Sequence, residues 1–244
     1  MAHVIILAAG KGKRMRSVLP KVLHAVAGIP MIERVLTAAE AVCPRPTIVV
    51  GHRATDVIAA LGPDRDYAVQ TEQRGTGHAV HCALEAFKPG DDDDIVVLPG
   101  DHPFVTPAMV RDLVSSRRAT DAAIALATVR LDDFEGPRAQ FSGCGRIIRS
   151  KDGDVAGIVE RGDATEEQAC ITEVNVSYYC FRGPWLKGNI AGLGSGNAAG
   201  ERYLTDLVSI AYSQNERVIG MPLHDAREGM GVNTPEQLDA LVSA

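Results

Sequence analysis

The 244-residue sequence predicts an α/β fold, with a mainly parallel central sheet, helices on both of its faces, and a smaller α+β half after it. Three observations predict it. Short Val- and Ile-rich runs bounded by Gly or Pro recur in the first half, as expected of strands buried on both faces. Segments with apolar residues at helical spacing separate them. After about Leu131 that alternation gives way to short strands paired around a turn.

The elements follow in order. His3–Leu7 is the first strand and stops at Ala8-Ala9-Gly10. Met31–Val42 is a helix, Thr47–Val50 a strand, and Thr55–Leu61 a helix. A further strand ends at Gln70, after which Gly75-Thr76-Gly77 opens the helix Gly77–Phe87. Ile95–Leu98 is a strand. Thr106-Pro107 reads as an N-cap with Pro at the first helical position, opening a helix to about Arg118. Ala122–Val129 is the next strand. Gly145–Arg149 and Val155–Glu160 are joined by the hairpin turn Lys151-Asp152-Gly153-Asp154. Glu173–Phe181 is a strand. Residues 183 to 200 hold six glycines and read as a mobile loop. Glu201–Tyr212 reads as helix and Arg217–Pro222 as strand. Thr234–Val242 reads as a C-terminal helix capped by Thr234, with Pro235 first in it. Residues 1–244 read as one domain, 1–130 binding nucleotide and 131–244 forming the α+β half. The acidic run Asp91 to Asp94 reads as a solvated turn.

Composition narrows the function. Lys plus Arg number 25 and Asp plus Glu 31, for a net charge of −6. That balance speaks against a nucleic-acid partner, which calls for a basic face. Hydrophobic residues make up 45% and charged residues 23%, as in an ordinary folded domain. No apolar run approaches the roughly 18 residues of a membrane span, and the N-terminal apolar stretch is too short for a signal peptide core. The expectation is a cytoplasmic protein without a membrane partner. The five cysteines form no C-x-x-C pair and read as free thiols.

Four segments could carry chemistry. In Leu7-Ala8-Ala9-Gly10-Lys11-Gly12-Lys13-Arg14-Met15, two glycines let the backbone approach a ligand and the basic residues could neutralise phosphates. A glycine turn with solvated basic residues fits as well. Met15 stands where a dinucleotide fold needs its third glycine. Lys21, stiffened by Pro20, could touch a phosphate or be a plain surface charge. Gln70 offers the donor and acceptor that a uracil edge requires, and Gly75 and Thr76 stand at a helix N-terminus, which favours anions. His78 and His81, three apart, could be half a metal site, although a capping or packing role fits better. Asp101, just past the strand Ile95–Leu98, falls at the carboxyl end of a central strand, where ligands bind, and suits Mg²⁺ bridging phosphates. His102 is given no role. Gly145, Arg146, Glu160, Asn175 and Asn233 are each weak alone.

Taken in order, these segments resemble the pyrophosphorylase domain of the bifunctional N-acetylglucosamine-1-phosphate uridyltransferases, sugar nucleotidyltransferases of a Rossmann-like fold. The match runs through Leu7-Ala8-Ala9-Gly10-x-Gly12-x-Arg14-Met15, Leu19-Pro20-Lys21-Val22-Leu23-His24 and Gln70-x-Glu72-Gln73-x-Gly75-Thr76-Gly77-His78. It continues through Gly100-Asp101-x-Pro103, Gly145-Arg146-Ile147, Ile158-Val159-Glu160, Asp163-Ala164 and Glu173-Val174-Asn175. It ends with Asn197-Ala198-x-Gly200-Glu201-x-Tyr203-Leu204-Thr205-Asp206 and Gly231-Val232-Asn233. The resemblance implies a Mg²⁺-dependent enzyme that condenses UTP with N-acetylglucosamine 1-phosphate, serving UDP-N-acetylglucosamine synthesis and cell-wall biogenesis. By matching position, Leu7, Ala8, Ala9, Gly10, Gln70, Gly75 and Thr76 hold UTP, and Arg14 and Lys21 bind its phosphates. Asp101 and Asn233 ligate Mg²⁺, and Gly145, Glu160 and Asn175 hold the sugar phosphate. Arg14, Lys21 and Asp101 are the expected catalytic set.

The sequence departs from that family in three places. Asn175-Val176-Ser177 replaces Asn-Thr-Gly, which is expected to remove a hydroxyl beside the acceptor sugar. Cys144 replaces the aromatic residue before Gly-Arg. The sequence ends in the helix after Asn233, before the family's left-handed β-helix domain, which fits a stand-alone enzyme or a fragment of a bifunctional one; as the family trimerises largely through that domain, a monomer is expected. These changes keep open another sugar 1-phosphate or nucleotide on the same fold, or a non-catalytic sugar-nucleotide sensor.

Overall fold

The structure is a computed structural model that describes residues 1–90 and 92–242. Strand β1 (Ala2–Ala8) leads through two 3₁₀ turns at Lys13–Met15 and Lys21–Leu23 to the small hairpin β2 (Ala25–Val26) and β3 (Ile29–Pro30). Then come α1 (Met31–Glu40), β4 (Thr47–Val50), α2 (Ala54–Leu61), β5 (Asp66–Val69), α3 (Thr76–Ala86), β6 (Asp94–Pro99), α4 (Pro107–Thr120) and β7 (Ile124–Arg130). A 3₁₀ segment, Gly136–Gly143, precedes β8 (Arg146–Arg149) and β9 (Val155–Val159). Next are α5 (Glu166–Ala169), β10 (Glu173–Arg182), α6 (Gly183–Asn189), α7 (Asp206–Ser213), β11 (Val218–Pro222) and α8 (Pro235–Val242).

The main sheet runs β11-β7-β10-β6-β1-β4-β5. Strands β6, β1, β4 and β5 are parallel, and so are β11 and β7. β10 lies antiparallel between β6 and β7, and the β8–β9 hairpin joins it through Arg146 and Val174. The predicted mainly parallel sheet is therefore present, with β10 and the hairpin as its antiparallel members. Alternate residues of β1 feed two cores. Val4, Ile6 and Ala8 pack with Ile32, Leu36, Val110 and Leu113 of α1 and α4. Ile5 and Ala9 pack with Val80, Ala83, Leu186 and Leu207 of α3, α6 and α7. Because both faces are covered, β1 and β4 read as unbroken apolar runs. The chain leaves β1 toward β4 on one side and returns as β6 on the other. The crevice beyond the carboxyl ends of β1 and β6 is thus the switch point at which ligands bind such sheets.

Three expectations need correction. Residues 183–192 are helical, not a loop: Pro184 sits in the first turn of α6, and Trp185, Leu186 and Ile190 are buried. Gly183 is glycine because a Cβ there would lie 2.0 Å from the Asp93 carbonyl oxygen, so it serves close packing. Helix α7 starts at Asp206, not Glu201. The backbone before it is held by the loop ahead of α3: Arg202 N–H donates to the Arg74 carbonyl (2.7 Å), Gly77 N–H to the Arg202 carbonyl (2.9 Å), and Leu204 N–H to Thr76 Oγ1 (3.0 Å). Finally, the acidic run is not simply solvated. Asp94 is buried between Arg117 (2.9 Å) and Arg118 (2.6 Å), and Asp93 pairs with the N-terminal ammonium (2.8 Å); Asp91 lies outside the described residues.

Glu173, at the start of β10, ties three strands together. Arg149 Nε and Nη2 each donate to it at 2.7 Å, and Thr128 Oγ1 donates at 3.1 Å. Burial pushes its pKa up, but the Arg149 hydrogen bonds and charge outweigh burial and hold it below the ordinary 4.5. A depressed carboxylate stabilises fully above that ordinary value and loses its contribution as pH falls through the folded one. Glu173→Gln should therefore cost about 2 kcal/mol at pH 7, with the gap to wild type closing below pH 4.5. Urea unfolding at pH 7 and pH 3 checks this; an equal gap at both would remove the charge from the account.

Candidate active site

Four side chains distant in sequence meet beyond the ends of β1 and β6. Lys21 Nζ is ion-paired with Asp101 Oδ2 and donates to Asn233 Oδ1 at 3.1 Å; Arg14 Nη2 donates to the same Asn233 oxygen at 2.9 Å. The sequence builds each arm locally. Gly12 has φ 56°, and a Cβ on it would lie 2.8 Å from Lys21 Cβ, so the glycine loop forms the seat for the Lys21 stem. Met15, where a dinucleotide loop would want glycine, anchors that loop in a core with Val26, Met31 and Val232. Asp101 follows β6, and its carbonyl accepts Val232 N–H (3.0 Å), which brings Asn233 alongside. Asn233 N–H donates to Gln237 Oε1 (2.7 Å) and Gln237 N–H to Thr234 Oγ1, so the α8 cap fixes Asn233. Asp101 is buried. Burial is the largest single influence and would raise its pKa, but the Lys21 charge and hydrogen bond together with neighbouring His102 outweigh it and hold the carboxyl below the ordinary range.

The expected nucleotide residues form a second wall. The Leu7 carbonyl accepts Gly100 N–H (2.9 Å) and the Ala9 carbonyl accepts His52 N–H (3.2 Å). Ala8 and Ala9 are buried, while Gly10 is exposed with open space around it. Gln70 is buried, and its Nε2 donates to the Gly75 carbonyl (3.0 Å) and to His78 Nδ1 (3.2 Å). That contact makes His78 an acceptor and a packing residue, and burial lowers its pKa. No group of three His, Cys, Asp or Glu side chains suited to a metal occurs among the described residues. Gly75 has φ 102°, and a Cβ there would lie 2.5 Å from the Arg202 carbonyl oxygen. The close approach that these glycines permit is thus to the chain's own Arg202 segment. Thr76 is exposed at the start of α3.

The third group lies on β8–β10. Asn175 N–H donates to the Gly145 carbonyl (2.9 Å), and a Cβ on Gly145 would lie 3.4 Å from Glu160 Oε2. Glu160 Oε1 accepts the Thr205 hydroxyl (3.0 Å), and burial raises the Glu160 pKa. Buried Asn175 donates through Nδ2 to the Tyr179 phenol (2.7 Å). Gly145, Glu160 and Asn175 are thus together. Cys144 precedes Gly145 and is half-buried: burial pushes its thiol pKa up to about 11, with the Arg146 charge opposing and those of Glu160 and Asp101 adding to the rise.

One reading of the departures is overturned. Val176 is buried against Val129 and Gly229, on the face of β10 opposite Asn175, so a hydroxyl there would not face the sugar. Ser177, on the Asn175 face, is exposed.

Some residues of the site left no signal in the sequence. His102 Nδ1 lies 3.1 Å from the Tyr178 hydroxyl, which itself donates to the Glu228 carbonyl (2.6 Å). The phenol proton being committed, His102 donates through Nδ1 and turns Nε2 toward Asp101, 3.9 Å away. Gly231 leaves room for that ring. Tyr178 reads only as a buried strand residue, and Thr205 falls in the matching family motif but is given no role there.

Residues 4–144 match the family model of the MobA-like NTP transferase domain. The chain belongs to this family. The chain is also similar to proteins named bifunctional protein GlmU. The GlmU of Trichlorobacter lovleyi is 43% identical over 241 residues, covering 98% of this chain and 51% of the relative. That of Corynebacterium efficiens is 41% identical over 243 residues, covering 96% and 48%. The chain thus spans about half the length of the curated relatives it matches. A Bacillus anthracis structure assigned as a glucose-1-phosphate thymidylyltransferase superposes with a TM-score of 0.76 at 20% identity, covering 100% of this chain and 94% of the other, and so shares the fold. The chain is thus a member of a nucleotidyltransferase family. No helix among the described residues is long and apolar enough to cross a membrane.

Proposed function

We propose that this chain transfers a uridylyl group from UTP to N-acetylglucosamine 1-phosphate, giving UDP-N-acetylglucosamine and pyrophosphate. The observation that carries the reading is the convergence of Lys21, Asp101, Asn233 and Arg14 on one point, beside the acceptor group Gly145, Glu160 and Asn175. The names of the half-matching relatives support it.

A sugar phosphate is already an anionic nucleophile. In-line attack of its oxygen on the α-phosphorus, with pyrophosphate leaving opposite, needs neither a covalent intermediate nor a general base. The chain's work is positioning and charge neutralisation. Arg14 and Lys21 take charge accumulating on the pyrophosphate. Gln70 offers Oε1 to the base, and a proton of Nε2 once the base displaces His78 or the Gly75 carbonyl from it, and the backbone from Leu7 to Gly10 together with Gly75 and Thr76 encloses the nucleotide. Glu160 and Asn175 hold the sugar.

The donor set suits Mg²⁺. Asp101 Oδ2 and Asn233 Oδ1 are hard oxygens, and both already face one cation, the Lys21 ammonium. Two protein oxygens, completed by phosphates and water, match how Mg²⁺ is ordinarily held. Bound there, it would neutralise charge between the reacting phosphates.

The test is pyrophosphate release with Mg²⁺, crossing UTP, CTP and dTTP with N-acetylglucosamine 1-phosphate and glucose 1-phosphate. The expected result is release with UTP and the N-acetylated sugar. Release with glucose 1-phosphate alone would keep the chemistry and move the acceptor. Nucleotide binding without release under every pair would make the chain a sensor.

A further inference from the structure

We propose that Ser177 is a specificity-determining residue of the acceptor site, its hydroxyl reading the substituent of the sugar phosphate that lies over Asn175 and Tyr179. The inference rests on the acceptor reading above and adds a residue to it.

Three observations meet at this position. The first is backbone geometry. Ser177 has φ 63°, where glycine is at home and a residue with a Cβ is strained. The ladder between β10 and β7 slips between Asn175 and Tyr179, so Ser177 rides a bulge. Bulges re-aim side chains and gather at functional sites. The second is exposure. From Val174 to Phe181 every residue but Ser177 is buried. A strained, exposed, polar residue inside an otherwise buried strand contributes nothing to the core.

The third is the hydrogen-bond pattern. Ser177 N–H donates to Asn175 Oδ1 (3.1 Å), and Asn175 Nδ2 donates to the Tyr179 phenol (2.7 Å). Burial dominates the raised pKa of that phenol, and the Glu160 charge and the Ser177 side chain act on it as well, in opposite directions. One donor and one lone pair of the Asn175 amide are therefore used, leaving one of each for the sugar, and Tyr179 is buried. A hydroxyl has one proton and two lone pairs, and that of exposed Ser177 is open to a ligand. It is the member of this chain of groups that faces outward. A substituent able to both accept and donate, such as an acetamido group, would use that capacity in full.

The experiment compares wild type with Ser177→Ala and Ser177→Gly. Steady-state rates are measured with UTP and Mg²⁺ against N-acetylglucosamine 1-phosphate and glucose 1-phosphate, and each protein's melting temperature is recorded. Both variants should raise the KM for the N-acetylated sugar about fivefold, with kcat within about twofold, as for loss of one neutral hydrogen bond that binds ground and transition states equally. The preference for that sugar over glucose 1-phosphate should fall about fivefold, and the KM for UTP should not move. Ser177→Gly should melt about 2 °C higher, because the strain is gone, while Ser177→Ala should not. Stability and acceptor binding thus move in opposite directions in the glycine variant, which a purely structural serine would not produce. If wild type turns over and both variants keep its acceptor KM and preference, the proposal is wrong and the acceptor reading stands. If wild type releases pyrophosphate with neither sugar, the acceptor reading falls and takes this proposal with it.

Discussion

Asp101→Asn should lower turnover by about 10²-fold or more, the cost of removing one preorganised electrostatic group from a reaction centre. The substitution keeps shape and removes charge, and the surroundings make it a clean one. The backbone at Asp101 is pinned on two sides: Gly100 N–H bonds the Leu7 carbonyl, and the Asp101 carbonyl takes Val232 N–H. The amide would stand where the carboxylate stood. What would be lost is the anion facing Lys21 and, under the proposed function, the charged ligand of Mg²⁺. The defect should lie in kcat at saturating UTP and sugar phosphate, because both substrates keep their other contacts. Pyrophosphate release over a Mg²⁺ titration is the measurement. A near-wild-type rate with the usual Mg²⁺ dependence would remove Asp101 from the mechanism.

The fold was largely legible because its central strands are buried on both faces. Thr47–Val50 and Met31 onward could be placed to within a residue or two from apolar pattern alone. Where the reading failed, glycine was the cause or tertiary contact overrode local preference. Six glycines between 183 and 200 look like freedom, yet Gly183 serves contact with the Asp93 carbonyl and the following turn is helix. Residues 201–205 have helical spacing, but their backbone is spent on Arg74, Thr76 and Gly77.

The site was legible only in part, and for a different reason. Lys21 is 80 positions from Asp101 and 212 from Asn233. No spacing rule connects such residues, and although the strand end favours a ligand role for Asp101, Lys21 and Asn233 are individually as well explained by a surface charge or a turn. Their common membership came from many short motifs holding the same order as a known family. What neither route could supply was orientation. Val176 and Ser177 are adjacent, and a bulge accompanies the change by which Ser177 is exposed while Val176 stays in the core. That depends on the register of β10 against β7, which side-chain alternation in one strand does not reveal.

Lys21→Met should lower turnover by about 10²-fold and, unlike Asp101→Asn, should make the ligand-free protein more responsive to Mg²⁺. In the structure the ammonium lies between the two oxygens proposed to hold the metal. A +1 and a +2 charge about 4 Å apart repel by about 8 kcal/mol at an effective dielectric constant near 20. Lys21 and Mg²⁺ therefore cannot share those oxygens, and in wild type the metal must displace the ammonium toward incoming phosphates. Methionine keeps the apolar stem packed on Gly12 and deletes the competitor. Without metal, the variant leaves a buried carboxylate unpaired, at a cost of about 3 kcal/mol. Adding Mg²⁺ should return much of that cost as binding energy to the folded state. Melting temperatures with and without Mg²⁺, in the absence of nucleotide, should thus differ more for the variant than for wild type. The rate stays low because the phosphates have lost their cation. A lysine that merely neutralised Asp101 would behave differently: Mg²⁺ would then restore both stability and turnover. Stability recovering while turnover does not is the result that gives Lys21 two duties, guarding the metal site when it is empty and binding phosphate when it is full.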